Sequence, residues 1–309
     1  MDSVTAHGHA SIKKGSKSFA LASRVLPPVL RDDASMLYAW CRYCDDVIDG
    51  QEMGHGQIAG YKTGQAERLE ELRRDTRAAL AGEPTDNPIF AGVARVFKTH
   101  DIPHIHAEEL LKGFEMDAAD RVYKTVDDIL DYSYHVAGVV GVMMGYIMGV
   151  RDAATLDRAS DLGLAFQLTN IARDVIDDAE ADRIFVPRDL LLKHGAPIDA
   201  AGLADKDAWP SAHKAACEQL DIAERYYASA RVGIKELPFR CAWAISAALK
   251  VYREIGETLR ARGPEAWEQR VSASTGRKLW LAFAAVGPAI GRANVGSFSR
   301  DGFYERPKL

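Results

Sequence analysis

Two pairs of aspartates, each pair spaced by four residues, lie inside stretches that are otherwise apolar and helical in pattern. The first stretch is Met36-Leu-Tyr-Ala-Trp-Cys-Arg-Tyr-Cys-Asp-Asp-Val-Ile-Asp49, where Tyr38, Arg42, Asp45 and Asp49 follow at intervals of four, three and four. The second is Ala165-Phe-Gln-Leu-Thr-Asn-Ile-Ala-Arg-Asp-Val-Ile-Asp-Asp178, where Gln167, Asn170, Asp174 and Asp178 follow at three, four and four. On an α-helix each set falls on one face, with like charges about one turn apart. Burying unpaired carboxylates is costly, so the chain must supply a counter-charge or recruit one. The carboxylate and amide oxygens are hard donors suited to Mg²⁺. A single such pair is common on solvated helices; two, each extended by polar residues through an apolar helix, point to one two-cluster metal site.

The rest of the chain agrees with a helical fold. Gln65–Leu80, Ala107–Met116, Leu156–Asp178, Ala212–Leu237 and Ala242–Arg262 carry apolar residues at three- and four-residue spacing. Period-two strands and hairpin signals are missing. Pro27-Pro28, Gly82-Glu83-Pro84, Asp101-Ile102-Pro103, Pro187, Gly195-Ala196-Pro197 and Gly263-Pro264 read as connections between helices. The expectation is an all-α helical bundle around a central cavity. It forms a single domain over residues 1–309, with its core at about 14–280 and a polar C-terminal tail after about 297.

A net charge of −5 argues against nucleic-acid binding. Four cysteines and no secretory signal fit a reducing cytoplasm. Cys41 and Cys44 spell C-x-x-C without a partner pair and read as helix core. The uncharged run from Val136 to Val150 is shorter than the roughly 20 residues a membrane span needs, so it reads as a core helix. Its glycines (Gly138, Gly141, Gly145 and Gly149) leave a smooth strip for a neighbouring helix or a long ligand. The polar tail argues against a terminal membrane anchor. His100, His104 and His106 flank Pro103 in a connection and read as ordinary residues.

These residues carry a resemblance. Tyr38–Asp49 and Leu164–Asp178 are similar to the two aspartate motifs of the squalene and phytoene synthase family. Gly15-Ser-Lys-Ser-Phe19 is similar to its N-terminal diphosphate-contact segment, and Tyr132–Gly141 to another signature helix. The resemblance runs from about Lys14 to Arg270 and weakens after Lys278; the phytoene-forming branch is the nearest through His135–Gly141 and Met148–Arg151. One departure is Gly50, where relatives often have another aspartate.

The resemblance implies a class I isoprenoid synthase fold and a Mg²⁺-dependent prenyltransferase, with Mn²⁺ as a substitute. Two geranylgeranyl diphosphates would condense head to head, through prephytoene diphosphate, to phytoene without NADPH. Asp45, Asp49, Asn170, Asp174 and Asp178 would hold the metal. Ser16, Lys17, Ser18, Arg42, Gln167, Asn170, Arg173 and Arg270 would contact substrate, with Lys278 a further candidate. Tyr38, Tyr132 and Tyr252 would face carbocations, while Phe19, Phe166 and Trp243 are candidates to line the tail cavity. The alternatives are squalene or dehydrosqualene formation from farnesyl diphosphate, and a non-catalytic helical scaffold. A lipid-like substrate and product suggest peripheral contact with a membrane; no oligomeric state is implied.

Overall fold

Amphipathic helices dominate because the apolar spacing and the cap chemistry agree nearly everywhere. The computed structural model describes residues 2–53, 56 and 60–307, with only the backbone of Lys17. Its helices are α1 (Ser3–Gly15), α2 (Lys17–Ser23), α3 (Pro28–Asp49), α4 (Gln65–Leu80), α5 (Pro88–Thr99), α6 (Ile105–Ala118) and α7 (Val126–Ser133). After a π-helical turn, Tyr134–Gly138, come α8 (Val139–Ile147), α9 (Ala153–Glu180), α10 (Arg188–Lys193), α11 (Ala200–Ala204) and α12 (Trp209–Ile234). The chain closes with α13 (Phe239–Arg262), α14 (Thr275–Ala284) and α15 (Val286–Ile290). No β-strand occurs among the described residues. Starts follow local rules: Asp2, Ser16, Asn87, Thr125, Asp152 and Ser274 each cap a helix N-terminus with a side-chain oxygen.

The centre of the bundle is α9, which packs along α12, α8 and the π-turn. The glycine strip serves this packing. A Cβ on Gly141 would stand 2.2 Å from the Ala159 carbonyl oxygen, and one on Gly163 2.3 Å from that of Ala137. The smooth face therefore meets a neighbouring helix, with backbone against backbone. Gly149, the last of the series, is at φ +87° and turns the chain instead.

The segment after residue 297, expected as a polar tail, folds back on α9. Arg300 holds the buried Asp161 with two hydrogen bonds of 2.8 and 2.9 Å, and Arg306 reaches Asp157 at 2.5 Å. Phe303 is buried. The segment's arginines are held by acidic groups on α9, while Asp301 and Glu305 stay exposed. At the other end, α1 packs on α3 and α5 and buries Ile12.

Candidate active site

The two aspartate stripes sit on half-buried faces of otherwise buried helices. On α3, Tyr38, Arg42, Asp45 and Asp49 are half-buried while Leu37, Trp40, Cys44 and Ile48 are buried. On α9, Gln167, Asn170, Asp174 and Asp178 are half-buried among buried Leu168, Ile171, Ala172 and Val175. The far face of α9 is pinned. Gln219 donates to the Leu168 carbonyl at 2.8 Å, Thr169 meets the Tyr227 hydroxyl at 2.9 Å, and the Trp267 indole donates to the Ala172 carbonyl at 3.2 Å.

Helix α3 ends at its last aspartate, Asp49, and α9 ends two residues past Asp178. Gly50, at φ +59°, terminates α3, and Gln51 N–H closes back on the Asp46 carbonyl at 2.9 Å. A Cβ at Gly50 would stand 2.5 Å from Tyr61 Cβ, so this close approach, like the positive φ, suits glycine. The freed carbonyls of Val47 and Ile48 accept from Arg68 and Gln65 of α4 at 2.9 and 3.0 Å. At the end of α9, Asp182 takes φ +58° and Arg183 N–H bonds the Asp178 carbonyl at 2.9 Å. That reversal sends the Arg183 side chain to Asp49, 3.3 Å away on α3.

Arginines meet the carboxylates throughout. Arg42 Nη1 lies 2.5 Å from Asp45. Arg173 pairs with Asp174, and Arg270 grips the same carboxylate with two bonds of 2.9 and 2.8 Å while approaching Asp177 at 3.5 Å. Burial works against the charge of Asp174, but Arg173 and Arg270 outweigh it and hold its carboxyl below the usual range. Compensation fails elsewhere. Burial pushes Asp45 up to about 6 despite Arg42, with Asp49 and Asp46 adding repulsion. Burial and the neighbouring Asp174 push Asp178 up to about 7 despite Arg183. Arg183 Nε is buried with no hydrogen-bond partner, and the Tyr38 hydroxyl lies against the Arg42 side chain. Hard oxygens short of positive charge, beside arginine donors, supply the chemistry that a divalent cation and an anion need, although among the described residues no three acidic, histidine or cysteine side chains are grouped closely enough to hold a metal.

Two aromatic groups flank the carboxylates. Phe19, Phe166 and Tyr252 form one, with Phe166 stacked on Tyr252 at 4.2 Å and Phe19 6.4 Å from Tyr38. Tyr123, Tyr132 and Phe185 form the other, Tyr132 stacking on Phe185 at 5.3 Å. Arg173 and Arg42 act electrostatically on Tyr252, as Asp45 does on Tyr132, so both groups border the carboxylates.

Sequence reasoning missed Arg183 and Asp117. Asp117, at the end of α6, faces the Tyr132 hydroxyl, and burial raises its carboxyl well above the ordinary value, with Asp49 and Asp45 adding to the rise. Neither shows a local pattern; the nearest signal for Arg183 was its place just past the end of the second motif helix.

Among the expected contacts, Arg42, Arg173 and Arg270 stand at the carboxylates. Ser16 instead caps α2, accepting from Phe19 N–H at 3.2 Å. Ser18 is half-buried on α2, the Lys17 side chain lies outside the described residues, and Lys278 lies on α14. Trp243 of α13 donates to the Ala282 carbonyl of α14 at 2.7 Å. Cys41 and Cys44 are free thiols, Cys44 fully buried. The histidines disperse: His100 bonds Asp33 at 2.9 Å, His104 is exposed, and His106 is buried and without a partner, its pKa pushed down to about 4 by burial. A surface cleft of about 600 Å³ lined by His194, His213, Cys217 and Glu218 shares no residue with the carboxylate site.

Known proteins resemble this chain in sequence and in fold. Residues 12–277 match the family model described as squalene/phytoene synthase. A 15-cis-phytoene synthase of Paracoccus sp. (strain N81106 / MBIC 01143) is 50% identical over 96% of this chain and 96% of its own length. The phytoene synthase of Pseudescherichia vulneris is 44% identical over 97% of each, and the 15-cis-phytoene synthase of Pantoea ananas 46% identical over 93% of each. Among solved structures, a dehydrosqualene synthase in complex with ligand superposes with a TM-score of 0.82 at 27% identity, covering 92% of this chain and 95% of its own. A squalene synthase from Alicyclobacillus acidocaldarius shares the fold at a TM-score of 0.70 and 22% identity, covering 84% and 94%. The chain belongs to the squalene/phytoene synthase family.

Proposed function

We propose that this chain is a 15-cis-phytoene synthase of carotenoid biosynthesis. It joins two geranylgeranyl diphosphates head to head and releases diphosphate at each of two ionisations. The observation that carries the proposal is the convergence of two carboxylate helices, bridged by Arg183 to Asp49, between two aromatic groups. That convergence stands in a chain 50% identical to a 15-cis-phytoene synthase.

Asp45, Asp49, Asn170, Asp174 and Asp178 would hold Mg²⁺, which when bound polarises the departing diphosphate as a Lewis acid. The arginines do the complementary work. Arg42, Arg173, Arg183 and Arg270 neutralise the carboxylates in the free protein and turn their donors toward diphosphate oxygens when substrate arrives. Gln167, Ser16 and Ser18 would border the same anion. The rings of Tyr38, Tyr252 and Tyr132 present π faces toward the allylic and cyclopropylcarbinyl cations, and the packed aromatic residues keep water from quenching them. The second double bond attacks the first cation to give prephytoene diphosphate. Renewed ionisation, rearrangement and loss of a proton give the C40 hydrocarbon, with no reductant consumed.

The whole chain acts as one synthase domain in the cytoplasm, touching the membrane that takes up its product. The likeness to a dehydrosqualene synthase supports a second reading, condensation of two farnesyl diphosphates. Product analysis with purified protein, Mg²⁺ and either substrate, without NADPH, decides between them. A C40 product from the C20 substrate is expected. A C30 product from the C15 substrate alone would overturn the substrate assignment, and no product from either would overturn the enzyme assignment.

A further inference from the structure

Helices α14 and α15 are apolar on the wrong side as well as the right one. Leu281, Ala285 and Ala289 are buried against the bundle, as an amphipathic segment requires. Yet the opposite stripe carries Leu279, Trp280, Phe283 and Ile290, at 52%, 55%, 76% and 66% exposure. Leu279 and Trp280 stand four and three residues before Phe283 on α14, which puts these three on one outward face, and Ile290 ends α15. Phe239, 39% exposed at the start of α13, joins them: its ring stands 6.1 Å from Trp243, whose indole bonds the Ala282 carbonyl of α14. Single exposed apolar residues are ordinary, but a clustered set on consecutive helices marks an interaction surface.

Charge selects the partner. From Gln269 to Arg300 the chain has no acidic residue, in a protein whose net charge is −5, although Arg270, Arg277 and Arg300 are already paired with Asp174, Glu254 and Asp161. Arg292, just beyond α15, gives its donors to the carbonyls of Leu237 and Ala289. Arg240, next to Phe239, gives its donors to the carbonyls of Val25 and Leu26. Hydrogen bonds to neutral carbonyls leave both cations without a carboxylate partner in those contacts. An apolar stripe edged by cations fits the headgroup boundary of an anionic bilayer. No helix among the described residues is long and apolar enough to cross it.

We propose that the outward face of α14 and α15 docks this protein on a lipid bilayer bearing anionic headgroups. The position suits a reaction on long isoprenoids, a step that rests on the synthase reading. Helix α14 packs on α13 and α2, which carry Tyr252 and Phe19 of the inner aromatic group. The docked face thus lies one helix layer from the site that accepts and releases hydrocarbon.

The test is vesicle flotation of the full chain with phosphatidylethanolamine–phosphatidylglycerol vesicles, with phosphatidylcholine vesicles as the neutral control. Wild-type protein should float with the anionic vesicles and bind them less at high salt. Trp280→Ser combined with Phe283→Ser should lower the vesicle-bound fraction about tenfold or more while far-UV circular dichroism stays unchanged. Wild-type tryptophan fluorescence should be quenched by bromine-labelled lipid, a readout that needs no variant. Equal binding by variant and wild type, or no flotation of wild type, would overturn the proposal. So would a dimer that the double variant abolishes, without vesicle binding, because the occupant would then be a second copy. Binding is read without turnover, so its failure leaves the synthase assignment standing, and an inactive protein that binds vesicles would count against that assignment alone.

Discussion

Arg183, just past the end of α9, lies 3.3 Å from Asp49 at the end of α3, across 134 residues of sequence. Burial works against its charge, yet Asp49 and Asp178 hold its pKa above the usual arginine value. One guanidinium therefore serves both carboxylate helices as an internal counter-ion. Arg183→Gln should destabilise the metal-free protein by about 1–3 kcal/mol, the cost of leaving a charged partner underpaired. Mg²⁺ should restore a larger part of that loss than it adds to wild type. Thermal melts with Mg²⁺ and with EDTA measure both quantities; equal Mg²⁺ shifts would dissociate Arg183 from the metal site.

A pH dependence of opposite sign to the usual carboxylate case follows from Asp45 and Asp178. Their folded-state values, about 6 and about 7, lie above the unfolded value, so the native metal-free protein binds more protons through that range. Their contribution to stability is present at low pH and is lost as pH rises through about 4 to 7. Protons and cation then compete for the same oxygens. The Mg²⁺-induced rise in Tm should be larger at pH 7.5 than at pH 5.5, and an equal rise at both would contradict the assignment.

The helix contact beneath the site is backbone-close. Gly141→Ala drives a methyl to 2.2 Å from the Ala159 carbonyl oxygen, and should cost about 1–3 kcal/mol. Gly276→Ala on the exposed start of α14 meets nothing within 4 Å and should change stability by less than about 1 kcal/mol. Denaturant melts of the two variants give the comparison directly.

Burial raises the Asp117 carboxyl well above its ordinary value and so favours the neutral form that Asp117→Asn mimics beside Tyr132. Metal-free stability should stay within about 0.5 kcal/mol of wild type. Asp117→Leu, which leaves the Tyr132 hydroxyl unpartnered, should cost about 1–3 kcal/mol. Similar melts for both variants would show that the pair does not matter.

What could be read in the sequence was local. Helix α4 occupies Gln65–Leu80 as its apolar spacing requires, and the stripes ending at Asp49 and Asp178 could be read because four-residue spacing projects onto one face. Helix α12 stops at Ile234, short of Leu237, where a turn leads into Pro238. Arg183 and Asp117 gave no such signal. Each acts through contacts made by folding: Arg183 after a left-handed turn at Asp182, Asp117 across to Tyr132 on another helix. The final segment looked like a solvated tail because its partners on α9, the buried Asp161 and also Asp157, lie 139 and 149 residues away from Arg300 and Arg306 in sequence.

The central claim is that the aspartates of α3 and α9 form one Mg²⁺-dependent site for prenyl diphosphate ionisation. Hydrocarbon formation from geranylgeranyl diphosphate, measured for wild type, Asp45→Asn and Asp174→Asn over a Mg²⁺ titration, tests it most directly. Each variant should lose about 10³-fold or more in turnover with helicity nearly unchanged, since several kcal/mol of charge stabilisation disappears with the metal ligand. Turnover at the wild-type level in either variant would contradict the account.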